Sequence, residues 1–218
     1  MQIRRYDTGL LCSNMYVIEE NGHAAVIDPG RDTSPAAGLT VDWILLTHEH
    51  YDHISGVTAW QAATGARVLC SAACAARIAD PRTNMARLFP VFCEMQRWVK
   101  LDRIPDADTE FACHADETFT DETELFWQGH RFYLAETPGH SPGSIMILLD
   151  DAALFSGDSL LRHAAVELRF PGGSRKQWQE TGGKRFGALP PGLHVWPGHF
   201  EDFIDTPEER RQREGMVK

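Results

Sequence analysis

The sequence predicts a layered α/β fold. Three observations carry that prediction. Short apolar runs of strand length recur along the chain, a helix-length segment separates two of them in the first half, and several end in short polar or glycine-rich turns.

The elements follow in order. Residues 15–18 and 24–27 are apolar and flank Glu20-Asn21-Gly22-His23. An Asn-Gly pair between such runs predicts a β-hairpin. A strand over 41–46, a polar stretch over 47–53, a helix over 54–64 and a strand over 67–70 read as a β-α-β unit. Residues from about 71 to 105 form a helical and irregular insertion, in which Pro81, Asn84 and Pro90 break any single long helix. Phe89, Phe92, Met95 and Trp98 make that insertion apolar, and core packing is their preferred role over substrate contact. Strands return at 125–127, 131–135, 145–149, 153–155 and 193–196. Residues 178–189 are helical in part, interrupted by Gly182-Gly183. With 43% apolar residues, 218 residues can bury a large core as one domain spanning 1–218.

The stretch Thr47-His48-Glu49-His50-Tyr51-Asp52-His53 holds three histidines and two carboxylates directly after a strand. In extended chain, residues i and i+2 point the same way. His48 and His50 therefore converge on one ion while Glu49 and Tyr51 point elsewhere. Asp52 and His53 lie where the chain turns into its helix and face a different place, so one motif suits two metals. Neutral imidazole favours zinc, iron or manganese, and carboxylate adds a harder ligand. Further strand ends carry His140 in Thr137-Pro138-Gly139-His140, Asp158 in Ser156-Gly157-Asp158, His199 in Pro197-Gly198-His199 and Asp28 in Asp28-Pro29-Gly30. Loops at one end of a sheet are where a scaffold presents functional groups.

Through His48, His50, Asp52 and His53, then His140, Asp158 and His199, the chain resembles the metallo-β-lactamase superfamily. The resemblance implies an αββα sandwich with metals at one edge. It implies that His48, His50 and His140 hold one metal, that Asp52, His53 and His199 hold a second, and that Asp158 bridges them. Two divalent ions are expected, zinc first, with iron or manganese as alternatives. Asn14-Met15-Tyr16, residues 26–30 and 137–144, and Phe170-Pro171-Gly172-Gly173-Ser174 add a similarity to small glyoxalase II-like hydrolases.

Two adjacent cations would give a bridging hydroxide near neutral pH, since a bound metal lowers the pKa of water toward ~7. That nucleophile would attack an acyl carbonyl, with Asp52 as the catalytic group that orients it and moves its proton. Asp28 is a candidate acceptor for fixing a histidine tautomer. A thioester is the leading substrate. Alternatives are a lactone or β-lactam, the chemistry of a mononuclear-iron persulfide dioxygenase, and a phosphodiester. The glyoxalase II pattern is departed from in two places. Only nineteen residues follow His199, where fuller enzymes carry a helical domain, and residues 166–170 place Glu167 and Arg169 where relatives have opposite charges. Arg162, Arg169 and Lys176 are candidates for an anionic substrate group.

A net charge of -10 opposes nucleic-acid or anionic-membrane partners, and a small-molecule substrate is expected. The first residues lack an apolar run of signal-peptide length, so a cytoplasmic location is expected. Five cysteines, Cys12, Cys70, Cys74, Cys93 and Cys113, form no C-x-x-C pair. Burial as small apolar residues is preferred over a Cys70/Cys74 metal or redox site.

Overall fold

The computed structural model describes residues 1–96, 99–162 and 164–216, with side chains through residue 211. Trp98 lies outside the described residues. The first half builds one six-stranded sheet from β1 (Gln2–Asp7), β2 (Asn14–Glu20), β3 (His23–Ile27), β4 (Thr40–Leu45), β5 (Arg67–Ser71) and β6 (Glu117–Phe119), ordered as in the sequence. The second half builds another from β7 (Glu122–Trp127), β8 (His130–Glu136), β9 (Ile145–Leu149), β10 (Ala153–Gly157), β11 (His194–Pro197) and β12 (Phe203–Ile204), in order β12-β11-β10-β9-β8-β7. Both sheets are mixed: β3 to β6 pair in parallel, as do β10 and β11, and the other pairs are antiparallel.

Strand periodicity explains the layering. Tyr16, Ile18, Ile27 and Leu45 on the first sheet meet Phe132, Leu134, Ile145, Ile147 and Phe155 on the second, forming the seam between sheets. Their neighbours in sequence, Val17, Val26 and Ile44, face outward onto Ile54, Val57 and Trp60 of the helices. On the far side Met146, Leu148, Leu154 and Val195 meet Phe186. Each central strand thus buries both faces, which is why these runs are continuously apolar rather than alternating. Helix, sheet, sheet and helix form the expected αββα sandwich. No helix among the described residues is long and apolar enough to cross a membrane.

The hairpin forms as predicted, with Asn21 and Gly22 both left-handed at φ 52° and 79°. The predicted helix 54–64 differs. It starts earlier as α1 (Tyr51–Ile54), breaks, and resumes as α2 (Val57–Thr64). The Gly56 amide donates to Pro29 O at 2.9 Å, a bond to the β3 loop that takes it out of the helical ladder.

The insertion contains α3 (Ala72–Ile78) and α4 (Phe89–Met95). Pro90 begins α4 rather than breaking a helix, since the first turn needs no amide there. Phe89 joins the core, but Met95 is 70% exposed, so core packing is corrected for that residue. Phe92 is half-buried and meets Phe170 edge-on at 5.0 Å.

The expected break at Gly182-Gly183 is also corrected. α5 (Arg175–Gln177), a π-helical turn over Trp178–Gly182 and α6 (Gly183–Ala188) run on without interruption. Two mid-helix glycines cost about 2 kcal/mol. Ser174 Oγ caps the start, Trp178 packs on Phe186 at 5.9 Å against the second sheet, and a side chain at Gly182 would meet Pro138 O at 2.5 Å, so close packing calls for glycine there. β12 is too short, and β1, β6 and the last helix, α7 (Pro207–Met216), carry too little apolar pattern, to have been predicted.

Candidate metal centre

Five chain segments leave β3, β4, β8, β10 and β11 at one edge of the sandwich, and they carry every candidate ligand to one place. One donor atom from each of His48, His50 and His140 lies within 4.8 Å of the others, and the same holds for Asp52, His53 and His199. Asp158 sits between the two groups. Its Oδ1 is 3.4 Å from His53 Nε2, and its Oδ2 is 3.6 Å from His140 Nε2 and 3.3 Å from His199 Nε2. All these residues but the half-buried Asp158 are buried.

Four histidines have their orientation fixed from behind. His48 Nδ1 meets Thr47 Oγ1 at 3.0 Å, His53 Nδ1 meets Asp28 Oδ2 at 3.1 Å, His140 Nδ1 meets Glu167 O at 2.8 Å and His199 Nδ1 meets Leu11 O at 3.2 Å. Carbonyl and carboxylate oxygens only accept, so the Nδ1 of His53, His140 and His199 donates and Nε2 faces inward. Thr47 Oγ1 gives its proton to Asp28 Oδ2 at 2.6 Å and so accepts from His48. Asp28 also takes the Thr47 amide at 2.8 Å. Asp28 approaches His48 and His53 closely enough to form a third donor group. Its oxygens are spent on Thr47 and His53, so it supports the site from outside.

The two halves differ electrostatically. Burial, then the neighbouring His53 and His50, holds His48 well below the usual histidine range. Burial, then His140, lowers His50 to about 3. Both are neutral imidazoles ready to ligate. In the other half, burial alone would lower His53, but Asp52 and Asp158 raise it to about 9. Burial is likewise overcome at His199, which Asp158 and Asp52 raise well above the ordinary value. Burial disfavours ionised Asp52 and Asp158, yet His53 and His199 hold both carboxyls below the usual range.

This donor set fits cations. His48 Nε2, His50 Nε2 and Asp158 Oδ1 are buried with no hydrogen-bond partner. Such a concentration of orphaned atoms is rare in folded proteins unless an ion or water satisfies them. His53 Nε2 and His199 Nε2 face each other at 3.3 Å, as do His50 Nδ1 and His140 Nε2 at 3.1 Å. Lone pairs so close need a proton or a cation between them. A side chain at Gly198 would put its first carbon 2.1 Å from Asp158 Oδ1, so glycine keeps that carboxylate in place.

Sequence reasoning missed a layer of support. Glu49, fully buried, accepts from Arg77 Nε at 2.6 Å, Ser141 Oγ at 2.7 Å and Gly143 N at 3.1 Å. It ties the His48–His50 loop to the loop bearing His140. Asn14 Nδ2 donates to Pro197 O at 2.9 Å and to Phe200 O at 2.8 Å, and Tyr16 OH donates to Pro197 O at 2.6 Å, so the Asn14-Met15-Tyr16 run holds the His199 loop. A buried polar residue within the motif, Glu49, was the available signal. The carbonyls of Leu11 and Glu167 leave none.

The model of the Metallo-beta-lactamase superfamily matches residues 8–199. The chain belongs to that superfamily. Among curated superfamily relatives, a hydroxyacylglutathione hydrolase of Cereibacter sphaeroides (strain ATCC 17029) is 32% identical over 74% of this chain and 49% of its own length. Another from Cereibacter sphaeroides (strain ATCC 17025) is 31% identical over 82% of this chain and 58% of its own. The chain therefore spans about half the length of these relatives. Among solved structures, the BLEG-1 B3 metallo-beta-lactamase is 25% identical with a TM-score of 0.80, each chain covered completely. TTHA1623 in a di-iron-bound form is 26% identical with a TM-score of 0.72, over 94% of this chain and 99% of its own.

The other candidates are not donors of this cluster. Arg162 pairs with Glu209 at 3.0 Å, and Lys176 is exposed on α5. Arg169 is 89% exposed and binds Glu167 at 2.8 Å, so the expected charge inversion becomes a local ion pair. Cys70, Cys74, Cys93 and Cys113 are buried and Cys12 is exposed. Burial, followed by Cys70, raises the Cys74 thiol well above its ordinary value.

Proposed function

We propose that this chain is a dinuclear metal-dependent hydrolase that cleaves an acyl carbonyl compound, a thioester first among the classes. The observation that carries this reading is the convergence of seven donors, four of whose rings are anchored behind and turned inward. His48, His50 and His140 would hold one metal; Asp52, His53 and His199 would hold the second, and Asp158 would join both. Two divalent cations would supply a nucleophile from water at neutral pH and polarise the carbonyl.

The chain's own residues do the rest. Asp52 is buried, and its Oδ2 lies 3.3 Å from His199 Nε2. His53 and His199 overcome burial to keep it ionised, so it can accept and pass on a proton. The Ser13 hydroxyl donates to the Asp52 carbonyl at 3.0 Å and fixes its backbone. Thioester hydrolysis is supported by the hydroxyacylglutathione hydrolases at 31–32% identity. Lactam or lactone hydrolysis is the second reading, supported by full-length likeness to a B3 metallo-beta-lactamase.

Metal analysis of the purified protein, coupled to a turnover screen of thioesters, lactones, a β-lactam and phosphodiesters, tests the proposal. Two metals per chain and thioester turnover are expected. Fewer than two metals with no hydrolysis would sink it. His53→Ala should empty the second position and leave the first filled; loss of both with the fold intact contradicts the partition.

A further inference from the structure

Two recesses adjoin the donor cluster. The larger, about 180 Å³, opens on His140, Asp158 and His199. Leu161, Ala164, Ala165, Phe170 and Phe200 make most of its wall. The smaller, about 40 Å³, lies on the His50 and Asp52 side beneath Phe89 and Phe92, and Phe170 borders both. The Phe170 ring stands edge-on to His50 at 5.9 Å and to His140 at 5.8 Å.

Phe200 holds an unusual position. Its φ is 68°, a left-handed backbone that bulky residues seldom adopt. Asn14 Nδ2 and Arg5 Nη1 each donate to its carbonyl at 2.8 Å and keep it there. Backbone strain that the surroundings enforce is a pointer to function, and here it sets a 39% exposed aromatic ring next to His199 at the cavity mouth.

Charge points the same way. Among the described residues lining the two recesses there is no Lys or Arg, and the one carboxylate outside the donor cluster is Glu167. Arg and Lys are the usual side-chain partners of an anionic group. The nearby Arg169 points to solvent, 89% exposed, and pairs with Glu167.

We propose that Phe170 and Phe200 form an apolar clamp over the metal centre that selects substrates by an uncharged hydrocarbon acyl group rather than by an anionic thiol such as glutathione. This rests on the hydrolase reading above. Burying one methylene in such a clamp tightens binding about four-fold.

Two measurements separate the clamp from the chemistry. In the first, N-acetylcysteamine thioesters from acetyl to octanoyl, together with the lactoyl one, are compared with S-lactoylglutathione for kcat/KM. In the second, straight-chain carboxylates from acetate to hexanoate, the acid products, are titrated calorimetrically into the metal-loaded protein, which needs no turnover. Both series should climb about four-fold per methylene over the first few carbons, and the glutathione thioester should gain no advantage from its thiol. Phe200→Gly suits the left-handed backbone and should flatten both slopes, and Phe170→Leu should flatten them partially. A flat carboxylate series, or a ten-fold preference for the glutathione thioester over the N-acetylcysteamine thioester of the same acyl group, overturns the clamp. Carboxylates that tighten with length in a protein that hydrolyses no thioester, lactone, β-lactam or phosphodiester uphold the clamp and remove the hydrolase reading.

Discussion

The donor cluster and the wall facing it are held in different ways. At the cluster, His48, His53, His140 and His199 are each anchored at Nδ1 by an oxygen from another residue, and Asp28 and Glu49 sit behind as buried carboxylates. At the wall, Phe170 is half-buried and Phe200 is 39% exposed. The Phe170 ring meets Phe92 and His140 edge-on and the Phe200 ring lies tilted beside His199, so these side chains are placed by ring contacts, while the hydrogen bonds from Asn14 and Arg5 hold the Phe200 backbone. Hydrogen bonds to fixed oxygens set tautomer and ring orientation, whereas apolar contact tolerates exchange of one side chain for another of similar volume. The proposed metal centre and the proposed clamp can therefore be altered separately by substitution.

The sharpest way to break that comparison is at Asp158, which touches both halves of the cluster. Asp158→Ala should abolish retention of two metals per chain and lower kcat/KM by about 10³-fold or more, since both proposed metals share this ligand. Metal content after gel filtration checks it, and a variant that keeps both ions would refute the bridging position.

The next effect falls on stability. Arg77→Met leaves Glu49 buried without its cation, a change expected to cost about 3 kcal/mol. Burial already pushes the Glu49 carboxyl above its ordinary value, despite Ser141 and Arg77. Denaturant melts report the loss. A cost below about 1 kcal/mol would mean that the pair is not the tie between the two loops.

Asp28→Asn tests anchoring without removing a ligand. Loss of an outer acceptor behind a ligating histidine weakens metal binding about 10- to 100-fold, which competition with a chromophoric chelator measures. Unchanged affinity would assign Asp28 to its turn alone.

The smallest effect concerns the thiols. Burial, and next Asp52, raises Cys93 to about 11, while burial and then Cys70 raise Cys113 to about 12. A raised pKa keeps the neutral thiol at pH 8, and burial blocks access. Iodoacetamide at pH 8 should label Cys12 alone in the native protein and all five cysteines after denaturation. Mass spectrometry showing native labelling at Cys70 or Cys74 would reopen a reactive site there.

Residues 47–53, His140, Asp158 and His199 were legible because metal ligation demands a few residue types at strand ends, and the spacing of His48 and His50 follows from extended chain alone. The central strands were legible because burial on both faces requires continuous apolar runs. Of the edge strands, β7 was legible in part at 125–127, but β1, with one face to solvent, escaped because it reads Gln-Ile-Arg-Arg-Tyr-Asp. The break at Ser55-Gly56 escaped because its cause is a bond to Pro29, far away in sequence.

By itself, the sequence determined the donor set and the two-sheet core, since both are written in residue type and periodicity. Only the tertiary structure decided how the donors are oriented and what faces them. Backbone carbonyls such as those of Leu11 and Glu167 have no residue identity to read, and the apolar wall joins Phe92, Phe170 and Phe200 from segments that only folding brings together.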